Sequence, residues 1–215
     1  GKSTISTNLA VGLARHGARV GLLDGDIYGP SLPTMLGLGD AEVTARGSML
    51  MPFESHGIKS MTIGKLVEPD KALVWRGPMA HGAFKQLATQ TEWGELDYLL
   101  IDMPPGTGDV QMGLSRMLPR TDMIIVTTPA VSAQKVAIRA ADMARRSYLR
   151  IAGVIENMSA FVCDHGTSYP LFGTGGGQAL ADEIGAPLLG QVPIESSVAE
   201  GGDIGEPVSL VGVGA

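Results

Sequence analysis

The sequence predicts an α/β fold: an open, mostly parallel sheet with helices on both faces. Three observations predict it. Short runs rich in Val, Ile and Leu recur along the chain and are apolar on both faces, as buried parallel strands require. Amphipathic stretches of helical length alternate with them, which implies right-handed crossovers covering a sheet. The chain also carries 30 glycines against only 5% aromatic residues, a profile of tight turns between compact elements rather than of disordered or fibrous chain.

Each element follows in order. A helix is expected over 4–16, directly after the opening "GKST". "ARVGLLD" (18–24) and "GIKSMTI" (57–63) read as strands, and 78–92 reads as a helix carrying Phe84 and Leu87 on one face. "DYLLID" (97–102) and "DMIIVTT" (122–128) are further strands. Residues 131–147 form a helix whose basic last turn suits its dipole. "IAGVIE" (151–156) is a strand, 176–184 a helix and "PLLGQVP" (187–193) a last strand. Residues 37–56 and 160–177 show no clear period and are expected as loops; loops of that length are more often functional than idle. No strand precedes Gly1 to feed a phosphate loop, and "EPVSLVGVGA" stops where a closing helix is expected. The first strand and last helix of the fold are therefore expected outside the 215 residues.

Within those residues a single domain, 1–215, is expected. A chain of this length buries roughly 70% of its unfolded surface, and nothing in it has the composition of a linker. The net charge of −6 argues against a nucleic-acid binder that works by counterion release. No apolar run reaches the length of a membrane span, and the start lacks the order of a signal peptide, so neither nucleic acid nor membrane is an expected partner and the cytoplasm is the expected location. The single cysteine, Cys163, excludes an internal disulfide and suits a reducing compartment, and it leaves open a thiol shared between two chains.

Residues able to do chemistry stand where these elements end. "GKST" places Gly1, Lys2, Ser3 and Thr4 ahead of the helical run "ISTNLAVGLA". In a phosphate-binding loop, backbone N–H groups cradle phosphate oxygens, a lysine neutralises the β- and γ-phosphates, and a serine or threonine hydroxyl reaches Mg²⁺. The same letters also begin ordinary capped helices. "GLLDGDIYGPS" ends a strand in Asp24 and Asp26, two carboxylates at the carboxyl edge of a sheet, where open α/β folds bind ligands. One would orient an attacking water and the other hold a metal's water shell, because phosphoryl transfer asks mainly for positioning and charge neutralisation. A solvated acidic turn is the plain alternative. "LDYLLIDMPPGTGD" runs four apolar residues into Asp102, then into prolines and glycines that continue neither strand nor helix. Asp102 would bind Mg²⁺ through water, and 104–109 would be a switch sensing the γ-phosphate. In "GVIENMS", Asn157 has the donor–acceptor pair that reads an adenine edge, and equally the means to cap the next turn.

Taken together, "GKST", "LLDGDIYGPS", "WRGPM" (75–79), "WGELDYLLIDMPPGTGD" (93–109), "VTTPA" (126–130), "GVIENMSAF" (153–161), "LFGTGGG" (171–177) and "EGGDIGEP" (200–207) closely resemble the Mrp/ApbC family of iron–sulfur cluster carrier ATPases. That family belongs to the deviant Walker A group of P-loop NTPases with MinD, ParA and the nitrogenase iron protein. The resemblance covers essentially the whole chain. It implies that Lys2, Ser3 and Thr4 end the phosphate loop, that Asp24 and Asp26 are the switch I acids, and that Asp102 is the Walker B acid. Asp109 would end switch II, and Asn157 would contact adenine. The implied activity is ATP hydrolysis with Mg²⁺ by a homodimer that carries an iron–sulfur cluster to apoprotein clients.

One departure stands out. The family commonly has a C-x-x-C pair after "ENMS", two of which bridge a [4Fe–4S] cluster across a homodimer. Here the loop reads "FVCDHGTSYPLFG", with Cys163 at the first position and Gly166 at the second. A thiolate-only cluster wants four sulfurs, and two chains supply two. His165 is the candidate for a mixed ligand set. Met49, Met51 and Met61 read as gap-filling core or plastic contact surface; His16, His56 and His81 show no metal pattern, and Arg145, Arg146 and Arg150 read as a helix C-terminal face. Trp75 and Arg76 are expected on the surface near the switches. The competing reading is a MinD- or ParA-like dimerisation switch. Such proteins rely on a membrane-seeking tail helix or a basic DNA-binding face, and neither is visible in the sequence.

Overall fold

The computed structural model describes residues 1–26, 29–66, 77–104, 113–114, 116–163 and 165–210. The chain divides into two compact units, Lys2–Pro105 with Ser197–Ala215, and Gly1 with Gly106–Ser196. Sheets in both are mostly parallel, as the sequence predicts.

The first unit runs α1 (Lys2–Arg15), β1 (Val20–Asp24), α2 (Leu32–Met35), the short strands β2 (Ala45–Arg46), β3 (Met49–Leu50) and β4 (Phe53–Ser55), then β5 (Ile58–Thr62), α3 (Gly77–Gln90) and β6 (Tyr98–Asp102). Its sheet has the order β4-β5-β1-β6, with β1 parallel to both neighbours and β4 antiparallel at one edge. Every residue of β1 is buried, which explains the unbroken apolar run that ends only at Asp24. Gly17 terminates α1: at φ +91° it supplies the left-handed residue while Ala18 N donates to Leu13 O at 3.2 Å. In α3, Phe84 and Leu87 lie three residues apart on one face, and both are buried.

The second unit runs β7 (Asp122–Thr127), α4 (Val131–Arg146), β8 (Arg150–Val162), β9 (Ser168–Tyr169), α5 (Gly176–Ile184) and β10 (Leu188–Ile194). The order β10-β8-β7 is parallel throughout, and β9 adds antiparallel to the far end of β8. Its core joins Ile125 and Val154 of the strands to Ala137 and Ala141 of α4 and Leu180 and Ile184 of α5. Alanines four residues apart let α4 approach closely, and each fully buried aliphatic chain adds roughly 1.5–3 kcal/mol. Arg145, on the basic end of α4, donates to the Ile184 carbonyl and so caps α5.

Sequence and structure differ at four places. The strand expected to stop at 156 continues to Val162, because an irregularity at Met158, φ +57°, lets β8 bend without ending. Residues 160–177, expected as loop, contain that extension and β9. Residues 37–56 hold the two- and three-residue strands β2, β3 and β4, too short to show a period. A helix, α6 (Ser196–Ile204), escapes a propensity reading because it carries Gly201 and Gly202, both buried. Among the described residues no helix is long and apolar enough to cross a membrane.

Candidate active site

Asp24 and Asp102 end β1 and β6 and are register partners in the parallel ladder. They are 0% and 2% exposed, so the Asp24 carboxylate is not part of a solvated acidic surface. Asp24 Oδ2 accepts from Thr62 Oγ1 at 2.8 Å, and Oδ1 accepts from the Asp26 amide at 3.0 Å. Thr62 is the register partner of Asp24 on β5 and itself accepts from Gly64 N at 3.1 Å, which leaves its hydroxyl proton for the carboxylate. On the other side, Ser6 of α1 donates to Asp102 Oδ1 at 3.1 Å. Gly25 makes the close approach possible: its amide donates to the Asp102 carbonyl at 2.8 Å, and a Cβ there would lie 2.9 Å from that same oxygen.

The electrostatics follow from burial. Asp24 is pushed up to about 7, first by burial and further by the like charges of Asp102 and Asp26, against the pull of the Thr62 and Asp26 hydrogen bonds. Asp102 is also raised by burial, while hydrogen bonds from Ser3 and Ser6 and the Lys2 charge oppose the rise. Lys2, Ser3, Ser6, Asp24, Asp26, Thr62 and Asp102 therefore form one constellation within the first unit. Thr4 is half-buried in α1, where its carbonyl accepts from Asn8 Nδ2 at 3.0 Å. Asp26 is half-buried and its Oδ1 accepts from Gly29 N at 3.2 Å. Thr62 and Ser6 were not legible as site residues, since a hydroxyl within an element gives no periodic signal; only the register reveals them.

Buried carboxylates raised toward neutrality gain most from a cation placed between them. Among the described residues no three His, Cys, Asp or Glu side chains gather as a metal cage. Ser3 and Asp102, hydrogen-bonded to each other, are oxygen donors of the kind that could hold Mg²⁺, which binds through one or two protein oxygens plus phosphates and water. The Pro-Pro-Gly bend from 105 onward with Asp109, and Trp75 and Arg76, lie outside the described residues.

Gly1, Asn157 and Cys163 belong to the second unit. Asn157 is 7% exposed; its Oδ1 accepts from Met158 N at 2.9 Å, and its Nδ2 lies 3.5 Å from the Gly1 carbonyl. Cys163 is half-buried at the end of β8, and backbone N–H groups of His165 and Thr167 hold its thiol below the ordinary range. His165 is exposed in the turn that follows.

A family model described as ParA, NUBPL iron-transfer P-loop NTPase, matches residues 1–212. An iron-sulfur cluster carrier protein of Synechocystis sp. is 47% identical over 214 residues, covering 97% of this chain and 61% of the relative. Proteins of the same name from Deinococcus radiodurans and Escherichia coli are 49% and 46% identical, each covering 98% of this chain and 60% and 58% of the relative. The chain thus spans about three fifths of the length of these curated relatives. Among solved structures, a nucleotide-binding protein of Archaeoglobus fulgidus in complex with ADP superposes with a TM-score of 0.82 at 34% identity, covering 95% of this chain and 81% of that one. MinD of Pyrococcus horikoshii, complexed with Mg-ADP, gives 0.65 at 24% identity over 96% and 82%, a likeness of fold alone.

Proposed function

The chain belongs to the ParA group of P-loop NTPases, in its NUBPL iron-transfer family, and on that premise we propose that it hydrolyses ATP and carries an iron–sulfur cluster to apoprotein clients as a homodimer. The observation that carries the reading is the buried, register-paired Asp24 and Asp102 beside Lys2 and Ser3 at the start of α1. Residues 1–215 serve as one ATPase domain. Gly1 and Thr4 complete the loop around the phosphates, Lys2 neutralises the β- and γ-phosphates, and Ser3 with Asp102 holds Mg²⁺. Bound Mg²⁺ supplies charge neutralisation to the transferring phosphoryl group. Asp24 or Asp26 orients the attacking water. Asn157 reads the adenine edge.

The cluster is cargo. Cys163 is the thiolate each protomer offers, and His165 is the candidate for the remaining ligands. Relatives sharing 46–49% identity are named cluster carriers, whereas the likeness to MinD is one of fold, which favours carriage over a positioning switch. Two measurements test this reading. Lys2→Ala abolishes ATP hydrolysis; a wild-type rate in that variant removes the site. Anaerobic reconstitution of wild type and Cys163→Ala, with iron and sulfide counted per dimer, gives cluster only in the wild type; equal iron in both removes Cys163 as a ligand.

A further inference from the structure

Glu156 is a carboxylate that the chemistry above does not use, yet it is 1% exposed. Its Oε1 accepts from Gln191 Nε2 at 2.7 Å, and its Oε2 accepts from the amide of Gly177. Gly177 must be glycine here, because a Cβ would stand 2.6 Å from Glu156 Cβ and 2.8 Å from Oε2. Both partners are neutral donors, and the Gly177 amide belongs to the first turn of α5, where the helix dipole favours an anion. One side chain thus ties β8 to β10 and to the start of α5.

The ladders show what that tie controls. Glu156 is the last residue of β8 paired on both sides, to Thr127 of β7 and Gln191 of β10. Asn157 pairs only with Val192, and the next pairing is Phe161 with Ile194, so the register breaks immediately beyond it. Met158 then takes φ +57°, held by Asn157 Oδ1. Asn157 therefore follows directly on the last fully clamped residue of its strand, and successive side chains point to opposite faces.

We infer that Glu156 is a positioning residue for nucleotide specificity: by clamping β8 to Gln191 and Gly177 it fixes the pose in which Asn157 meets the base. This rests on the reading of Asn157 as the adenine contact. A hydrogen bond to the base edge made or lost corresponds to about five- to tenfold in affinity.

The test compares KM for ATP with KM for inosine triphosphate, which lacks the exocyclic amine, in wild type, Asn157→Ala, Glu156→Ala, Glu156→Gln and Gln191→Ala. Glu156→Ala is expected to raise KM for ATP about five- to tenfold, to the Asn157→Ala level, with little change in KM for inosine triphosphate or in kcat. The double variant is expected to be no worse than Asn157→Ala. Glu156→Gln is expected to restore discrimination, since Gln191 can flip to accept from the new amide and leave an oxygen for Gly177. Gln191→Ala removes one clamp bond at an exposed position and should lose part of the discrimination, which keeps the test open if Glu156→Ala fails to fold. If Asn157→Ala keeps the wild-type ratio of KM values, the base contact itself is wrong and the inference falls with it. If Asn157→Ala collapses the ratio while folded Glu156→Ala or Gln191→Ala retains it, only the positioning role of Glu156 is overturned.

Discussion

Replacing Asp24 with Asn should stabilise the nucleotide-free protein above neutral pH while destroying its activity. Asp24 is fully buried, and its folded-state pKa is about 7 against an ordinary 3.8. Between those values the folded chain holds a proton that the unfolded chain has released. Stability from this group is therefore complete below the unfolded pKa and is lost as pH rises through about 7. At about 1.4 kcal/mol per unit, raising the pH from 5 to 8 costs the wild type about 2.5 kcal/mol at this one residue. Asn keeps the shape, its oxygen accepting from the Asp26 amide and its Nδ2 donating to a turned Thr62 hydroxyl, and has no charge to bury. Urea unfolding at pH 5 and pH 8 measures the difference: relative to the wild-type midpoint, that of Asp24→Asn should gain about 1 M across this range. Mg²⁺ with ATP should flatten the wild-type profile, because a neighbouring cation favours the carboxylate. Parallel pH profiles for the two proteins without nucleotide would refute the burial of a near-neutral Asp24.

Thr62→Val deletes the 2.8 Å donor to Asp24, so the wild-type loss of stability should shift to higher pH, measured by the same urea series. Lys2→Ala should lower kcat about 100-fold or more in a phosphate-release assay, while far-UV circular dichroism stays native. Phe84→Ala should cost about 3–5 kcal/mol in thermal or urea unfolding, because the ring is fully buried. Gly25→Ala forces a methyl against the Asp102 carbonyl and should cost about 1–3 kcal/mol together with activity, the two read on one preparation.

Much of the fold was legible because parallel strands buried on both faces read as unbroken apolar runs. β1 and β6 each end such a run in an aspartate, so the sequence marks Asp24, with Asp26, and Asp102 as separate candidates, and only the register pairs Asp24 with Asp102. Helix 176–184 was equally plain, bracketed by Gly175 and Gly185. The rest was hidden for specific reasons. β2, β3 and β4 are too short for periodicity, and α6 carries glycines that propensity disfavours. Thr62, Ser6 and Glu156 act through contacts at sequence separations of 38, 96 and 21 residues, which no local pattern encodes. Asn157 stayed ambiguous in the sequence because turn capping and base reading ask for the same atoms; in the structure it does cap Met158, while its Nδ2 reaches toward Gly1.

The placement of the triphosphate is tested most directly by a crystal structure of the protein with Mg²⁺ and a non-hydrolysable ATP analogue. The expected result is a metal ion about 2.1 Å from Ser3 Oγ, with Lys2 on the β- and γ-phosphates and Asp102 within reach of a metal-bound water. A triphosphate seated away from Lys2, or a metal whose coordination sphere excludes Ser3, would contradict it.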